Sequence, residues 1–212
     1  MLKGIDISHH NNLDRILSII DKPDFCIIKA TEGKTYNDPK MKHNIQICEE
    51  RDIPIGLYHY ARPENNLAKD EAKHFIEKAA PYIGKAIFAL DWEEDALHYP
   101  VSWVKTWLDY VYSQTGVRPL IYCSAWYTSK LKTILEANYG LWVAHYTSMP
   151  KPNTGVYPFW AFWQYATPGF NYTKEPCVCD YDYFNGDTSA LHRYMAKDAT
   201  PYKPKGTADV NN

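Results

Sequence analysis

Short apolar segments alternate along the chain with longer segments whose apolar residues recur every three or four positions. The first pattern predicts buried β-strands, and the second predicts amphipathic helices. We predict strands at residues 4–8, 25–30, 55–60, 86–91, 119–123, 141–145, 161–165 and 179–183. Helices are predicted between the first six strands, at 13–20, 39–51, 67–82, 100–115 and 125–135.

Strands that are apolar throughout and joined through helices are typical of a parallel sheet, and this many in succession are typical of a barrel. The helical pattern weakens after residue 135, so the last strands are expected to be joined mainly by loops, with some of them antiparallel. The sequence therefore predicts an α/β fold, an irregular (β/α) TIM-like barrel whose first half consists of regular βα units. We assign residues 1–196 to this domain and 197–212, which are polar and rich in chain breakers, to a tail or the start of a linker.

The composition supports one domain with a substantial core, because 45% of the 212 residues are hydrophobic and 23% are charged. A net charge of −2 supplies no general attraction for nucleic acid or anionic lipid. No apolar run is long enough to span a bilayer. We therefore expect neither nucleic acid nor a membrane as a partner; the pattern does not specify an oligomeric state.

The five cysteines are odd in number and scattered, which favours reduced thiols. Cys26 and Cys123 lie in apolar strands and are expected in the core. Cys177 and Cys179 have no second Cys or His pair at ligand spacing, so no metal and no cofactor is predicted. The N-terminus leads directly into a strand, without the apolar region and cleavage site of a signal peptide.

Asp91 and Glu93 follow the fourth predicted strand at a spacing of two residues. In an extended chain they share one face, about 6.6 Å apart along the backbone. Like charges so close among aromatic residues should leave one carboxyl protonated near neutral pH. A protonated acid beside an ionised one is what glycosidic bond cleavage requires. The alternative is an exposed acidic turn that caps the next helix.

Polar or aromatic residues end nearly every predicted strand. In barrels of parallel strands the reacting groups gather at the carboxyl ends of the strands, so these residues are expected to share one rim. Independent surface charges would not be distributed in this way. The candidates at this rim are Asp6, Lys29, Tyr58, Arg62, Asp91, Glu93, Tyr122, Trp142, Gln164, Asp180 and Asp182.

Eight of these segments, in order from about residue 3 to 194, resemble glycoside hydrolase family 25, the N-acetylmuramidases of bacteria and their phages. They include GIDIS at 4–8, IKATEG at 28–33, GLYHY at 56–60, LDWE at 90–93, FWQY at 162–165 and CDYDYFNG at 179–186. The resemblance implies an irregular β/α barrel that cleaves the β-1,4 bond between N-acetylmuramic acid and N-acetylglucosamine in bacterial peptidoglycan. By position it implies that Glu93 is the general acid, Asp91 its partner carboxylate, and Asp6 and Asp180 the outer acids of the pocket.

The remaining candidates are assigned to substrate binding. Rim positions favour Tyr58, Tyr122, Trp142 and Gln164 as residues of the sugar pocket, and Asp182 stands where relatives often carry Asn. Lys29 is expected to contact substrate or to form an ion pair with Glu32 or a neighbouring Asp. Arg62 is expected to bind a lactyl or stem-peptide carboxylate or to balance the acidic charge. His59 and His145 are expected to be hydrogen-bonded core residues, and Trp103 and Trp107 packing residues of a helix.

The stereochemical course is open at this stage. Carboxyl groups about 5–5.5 Å apart would retain the anomeric configuration, and a separation of about 6.5–9.5 Å would invert it. In a third route the 2-acetamido group of the sugar attacks the anomeric carbon and an Asp orients it. We favour this third route or ordinary retention over inversion.

Three other functions compete. A chitinase-like hydrolase would have a longer acidic series, but Ala86 and Ala89 stand at the positions concerned. A metal-dependent deacetylase or amidase would use Asp6, His9, His10 and His59, but adjacent histidines cannot both face inward on a strand. An inactive sugar-binding module would have no need of the acidic pair.

The setting expected from the resemblance is that of a phage endolysin. Such a protein is made in the host bacterial cytoplasm without a signal peptide and acts on the cell wall after release through a holin. An autolysin or a bacteriocin exported by another route is the alternative. The tail then suggests that a wall-binding domain is missing after residue 212.

Overall fold

The computed structural model describes residues 1–173 and 176–199, and its centre is a β-barrel. In these residues the strands are β1 (Leu2–Ile7), β2 (Phe25–Glu32), β3 (Tyr36–Asn37), β4 (Ile55–Tyr60), β5 (Ala86–Asp91), β6 (Leu120–Ser124), β7 (Gly140–Ala144), β8 (Phe162–Ala166) and β9 (Asp180–Phe184). All eight predicted strands are present. The two-residue β3, which pairs antiparallel with the end of β2, is too short to give a sequence pattern and was not predicted.

The strands are ordered β1-β9-β8-β7-β6-β5-β4-β2, and pairing of β1 with β2 closes the barrel. Every pair among the described strands of the ring is parallel except the two pairs that involve β9. This arrangement confirms the predicted irregular (β/α) TIM-like barrel with an antiparallel strand near its end.

The described helices are α1 (Leu13–Leu17), α2 (Met41–Glu50), α3 (Ala68–Ala79), α4 (Val101–Thr115), α5 (Lys132–Glu136) and α6 (Thr188–Met195). The continuous helix predicted at 125–135 is wrong. The Thr128 hydroxyl donates to the Ala125 carbonyl at 2.8 Å, and the chain forms a 3-10 turn at Thr128–Lys130 before the short α5. Helix α6 was not predicted; the Asp187 carboxylate caps it by accepting from the Ala190 N–H at 2.8 Å.

The lower part of the barrel interior is filled with apolar side chains. Helix α6 closes the barrel from below with Leu191, Tyr194 and Met195, which pack in one buried cluster with rings from the strands. Phe25 fills the space beside β1, where a Cβ on Gly4 would lie 2.3 Å from its ring, so only glycine fits there. The barrel interior is therefore filled at the end where α6 packs.

A second buried cluster lies between the outer faces of the strands and the helices and includes Phe75, Phe88, Trp92 and Trp107. Trp107 is fully buried and Trp103 packs against the cluster, as predicted. No helix of the described ranges is both long and apolar enough to cross a bilayer. The predicted tail at 197–212 lies outside the described residues from residue 200 onward.

Candidate active site

Asp91 and Glu93 both face the barrel interior at the open end. Asp91 ends β5 and is 7% exposed, while Trp92 between them is 1% exposed and packs outward into the helix layer. The backbone of Glu93 continues extended, with φ −144° and ψ −178°, so the alternation of faces persists beyond the strand. Glu93 is partly buried and its side chain makes no cap hydrogen bond, so the alternative of an exposed capping turn is wrong.

The environment of Glu93 keeps this carboxyl protonated near neutrality. Burial, followed by the charges of Glu94 and Asp180, raises its pKa to about 7, against the opposing effect of Lys29. Burial and the charge of Glu93 raise the pKa of Asp91 well above its usual range. Asp91 Oδ1 is buried, and no residue of 1–173 or 176–199 forms a hydrogen bond with it. Both shifts favour the protonated form, so the pair can hold one proton between its two carboxyls near neutral pH.

Gln164 on β8 links Asp6 to two tyrosines. Its Nε2 donates to Asp6 Oδ2 at 2.7 Å, and its Oε1 accepts from the hydroxyls of Tyr122 at 2.9 Å and Tyr146 at 2.6 Å. All of these bonds are buried or partly buried, so the amide fixes the orientation of Asp6 from below.

Asp182 lies deeper, with 0% of its surface exposed. Its Oδ1 accepts from Trp142 Nε1 at 2.7 Å, and in the described part of the chain no N–H or hydroxyl donates to its Oδ2. The carboxyl groups of Asp6 and Asp182 are in hydrogen-bonding contact, which requires a proton on one of them. Burial raises the pKa of Asp182 to about 7, and burial with the charges of Asp180 and Asp182 raises the pKa of Asp6. The two acids thus share a proton below the pocket.

Asp180 reaches the same rim from the opposite chain direction. It is the first residue of β9, and because β9 is antiparallel to its neighbours, its beginning lies beside the carboxyl ends of the other strands. Burial raises the pKa of Asp180, and a hydrogen bond with Thr167 opposes the rise.

The rings of Tyr58, Tyr122 and Trp142 form the aromatic floor of the pocket, each no more than 9% exposed. Trp142 lies edge-on to Tyr122 at 4.7 Å and to Tyr58 at 6.4 Å between ring centroids. Burial, followed by the charges of four acids, raises the pKa of the Tyr58 hydroxyl; the acids are Asp6, Asp91, Asp180 and Glu93. The structure therefore brings the four predicted catalytic residues around one floor.

Lys29, Glu32 and Arg62 form a charged group on the β2–β4 side of the mouth. Lys29 Nζ lies 2.7 Å from Glu32 Oε2, and Arg62 Nε lies 2.7 Å from Glu32 Oε1. Both cations lie over the Tyr60 ring, at 4.6 Å and 4.7 Å from its centroid. The predicted ion pair of Lys29 with Glu32 is confirmed, and Arg62 balances the same carboxylate.

The histidines proposed for a metal-dependent hydrolase are not brought together with Asp6. His59 faces α3 outside the barrel, where its ring bonds Thr31 at 2.7 Å and Glu71 at 2.8 Å, which confirms it as a hydrogen-bonded core residue. The His9 ring contacts Asp38 at 3.1 Å. Across 1–173 and 176–199, no three His, Cys, Asp or Glu residues are grouped for metal binding. His145 accepts from the Asn153 N–H but is only partly buried, so its predicted core position is wrong.

Some residues of the site were not assigned from the sequence. Tyr146 bonds Gln164, Thr167 bonds Asp180, and the Tyr60 hydroxyl donates to Glu94 Oε2 at 2.6 Å. Tyr60 ends a predicted strand and Tyr146 directly follows one, so their position was a usable signal. Thr167 follows β8 in a tight turn and Glu94 begins a short 3-10 helix, where no periodicity marks them.

A separate cavity of about 600 Å³ lies at the other end of β1, lined among others by Lys3, Ile5, Asp24, Tyr165 and Tyr181. Its lining contains none of the site residues described above. The acids at the open end of the barrel therefore define the candidate active site.

All five cysteines are free thiols, and Cys26 and Cys123 are buried as predicted.

Comparison with known proteins gives consistent similarities. The model of the family described as Glycosyl hydrolases family 25 matches residues 5–171. The chain is 31% identical to the uncharacterized protein YegX of Escherichia coli K12 over 92% of this chain and 73% of YegX. It is 29% identical to Lysozyme M1 of Streptomyces globisporus over 79% of this chain and 63% of that protein. Among solved structures, the bacterial lysozyme from Streptomyces coelicolor superposes with a TM-score of 0.77 at 25% identity, covering 93% of this chain and 98% of that one.

Proposed function

The chain belongs to glycosyl hydrolase family 25 and is a peptidoglycan hydrolase of the lysozyme type, and from this premise we propose its bond and its catalytic residues. The bond is the β-1,4 linkage between N-acetylmuramic acid and N-acetylglucosamine, and Glu93 is the general acid. One observation carries the proposal: burial and the neighbouring charges of Glu94 and Asp180 raise the pKa of Glu93 to about 7. Such an acid is protonated at the pH where a glycosidic oxygen must receive a proton.

In the proposed reaction, Glu93 gives its proton to the bridging oxygen while the bond from the anomeric carbon to that oxygen breaks. Positive charge then develops on the ring, and the acidic pocket of Asp6, Asp91 and Asp180 stabilises it. The sugar itself lies on the aromatic floor and is held by Tyr58, Tyr122, Trp142 and Gln164, with Asp182 supporting Asp6 from below. The plugged barrel below this floor supports entry of the glycan from the open end only.

We propose the substrate-assisted route for the first step. The carbonyl oxygen of the 2-acetamido group bonds to the anomeric carbon, and Asp91 accepts the acetamido N–H. The support is Asp91 Oδ1, a buried acceptor that has no hydrogen-bond partner among the residues the structure describes. Water then opens the cyclic intermediate and gives its proton to Glu93, so the configuration is retained. Sugars without the acetyl group should react far more slowly, and time-resolved NMR of the first product anomer checks retention.

We propose that the charged group of Lys29 and Arg62 contacts the substrate's lactyl or peptide carboxylate at the rim. The Arg62 side chain is 37% exposed although its Nε is paired with Glu32, which leaves part of the guanidinium open to an anion. Arg62→Met should weaken binding of wall fragments that carry peptides and leave unsubstituted glycans unaffected. Equal effects on both would assign Arg62 to charge balance alone.

The lytic setting is also a proposal: the protein is made in a reducing bacterial cytoplasm and reaches the wall after release. Its five free thiols support this.

The decisive experiment is mass spectrometry of wild-type digests of purified cell wall. Muropeptides that end in reducing N-acetylmuramic acid are the expected products. Reducing N-acetylglucosamine ends would overturn the proposed bond, and cleavage of chitin oligomers in preference to wall would favour the chitinase-like alternative.

A further inference from the structure

Phe170 is a large apolar residue held in an exposed position beside the active site. Its side chain is 63% exposed in the connection between β8 and β9. A tight turn fixes the backbone there: the Phe170 N–H donates to the Thr167 carbonyl at 2.9 Å, and the Thr167 N–H donates to the Phe170 carbonyl at 3.3 Å. Its ring lies nearly parallel to that of Tyr146, at 19° and 6.2 Å between centroids.

Both ends of this turn are tied to the acids of the site. Thr167 is hydrogen-bonded to Asp180. At the other end, Tyr146 donates to Gln164, which in turn donates to Asp6. Phe170 is therefore one ring away from the network that orients the acids, and its outer face is open to solvent.

The shape of the barrel determines where a polymer can go. Because the lower interior is filled and closed by α6, a glycan strand cannot thread through the barrel and must cross the rim. On one side the rim carries the charged group of Lys29, Glu32 and Arg62. The β7–β9 side is aromatic, with Tyr146, Phe170 and Tyr172, and Tyr172 is also 63% exposed.

We propose that Phe170, backed by Tyr146 and flanked by Tyr172, is a platform for an N-acetylhexosamine unit of the glycan strand beyond the two sugars at the cleaved bond. The C–H face of a pyranose ring is flat and apolar and packs on an aromatic face, while its hydroxyls remain in water. This inference rests on the proposed function, since it takes the strand to be the polymer that the acids cleave.

The test compares wild type with Phe170→Ala on peptidoglycan glycan strands of graded length. For long strands KM should rise about tenfold with kcat unchanged, as expected for the loss of one half-buried aromatic contact. For the shortest strand that is cleaved, both constants should match wild type, because that strand does not reach Phe170. Phe170→Trp should restore the wild-type KM, and Ile19→Ala, an exposed apolar residue at the opposite end of the barrel, is the matched control.

A binding measurement separates the platform from catalysis. In Glu93→Gln protein, calorimetry with long strands should show the same tenfold loss when Phe170→Ala is added. The platform would be overturned if Phe170→Ala had the same KM as wild type at every strand length. It would also be overturned if the substitution raised KM by the same factor at every length. If wild type releases no reducing ends from any strand, the proposed function fails. If wild type is active but Phe170→Ala shows no increase in KM that depends on strand length, the platform alone is rejected.

Discussion

Gln164 Nε2 donates to Asp6 Oδ2 at 2.7 Å across 158 residues of the chain. The Oε1 of the same side chain accepts hydrogen bonds from the hydroxyls of Tyr122 and Tyr146. One amide thus connects strands β1, β6 and β8 with the segment that follows β7. The acid on the first strand is therefore oriented by a residue near the end of the domain.

Gln164→Leu should lower both stability and activity. It removes the amide that donates to Asp6 and accepts from two tyrosine hydroxyls, which should cost about 1–3 kcal/mol of unfolding free energy. Displacement of Asp6 should reduce kcat/KM about 10- to 100-fold. Urea unfolding and initial rates of wall lysis measure the two effects. Tyr146→Phe removes a single hydroxyl and is the control; if it does as much harm as Gln164→Leu, Gln164 has no special role.

Glu93→Gln should abolish turnover and preserve the fold, because the amide has the same shape but cannot give a proton. General acid catalysis contributes about 10²- to 10⁴-fold, so the rate of reducing-end release should fall by at least that range. The adjacent Glu94→Gln is the matched control and should retain most of its activity at its own optimum. A Glu93→Gln variant with wild-type-like rates would eliminate Glu93 as the acid.

The pH dependence of kcat should respond to the charges near Glu93. The acid works when protonated, so activity should be lost as pH rises through about 7, the value to which the pKa of Glu93 is raised. Glu94 raises this pKa and Lys29 lowers it. Glu94→Gln should therefore move the alkaline limb to lower pH, and Lys29→Met should move it to higher pH. The electrostatic account would be contradicted if both variants moved the alkaline limb in the same direction, or if neither variant moved it.

Asp182→Asn should stabilise the protein at alkaline pH and have little effect at acidic pH. In the folded protein the pKa of Asp182 is raised to about 7, whereas an aspartate in the unfolded chain has a pKa of about 3.9. The contribution of Asp182 to the free energy of unfolding is therefore fully present below a pH of about 3.9 and is lost as pH rises through about 7. An amide removes this loss and can donate to Asp6.

The measurement for Asp182→Asn is the melting temperature relative to wild type between pH 5 and 8. The difference should grow with pH and reach several degrees at pH 8. Asp95→Asn changes an exposed carboxyl and should give a difference that is independent of pH. If Asp182→Asn melted at a lower temperature than wild type at pH 8, ionisation of Asp182 would not be what limits the stability of the wild type at that pH.

Local periodicity was sufficient to predict most strands and the inward faces of Asp91 and Glu93, because the alternation of a strand depends only on neighbouring residues. It could not predict that Asp180 begins an antiparallel strand, since strand direction depends on pairing with β1 and β8. The hydrogen bonds that unite Asp6, Gln164 and Tyr146 connect distant parts of the chain and leave no local pattern. Helix α6 is short, and its role as a plug depends on rings from six strands rather than on its own sequence.

The closure of the barrel by β9 and α6 has a consequence for synthesis on the ribosome. β1 leaves the exit tunnel early, but its partner β9 and the plug α6 follow only when almost the whole domain has been translated. Until then Asp6 lacks both Gln164 and Asp182, and the proton-sharing pair does not exist. A nascent or prematurely terminated chain would thus have no assembled pocket, and hydrolytic power would arise only with the completed domain.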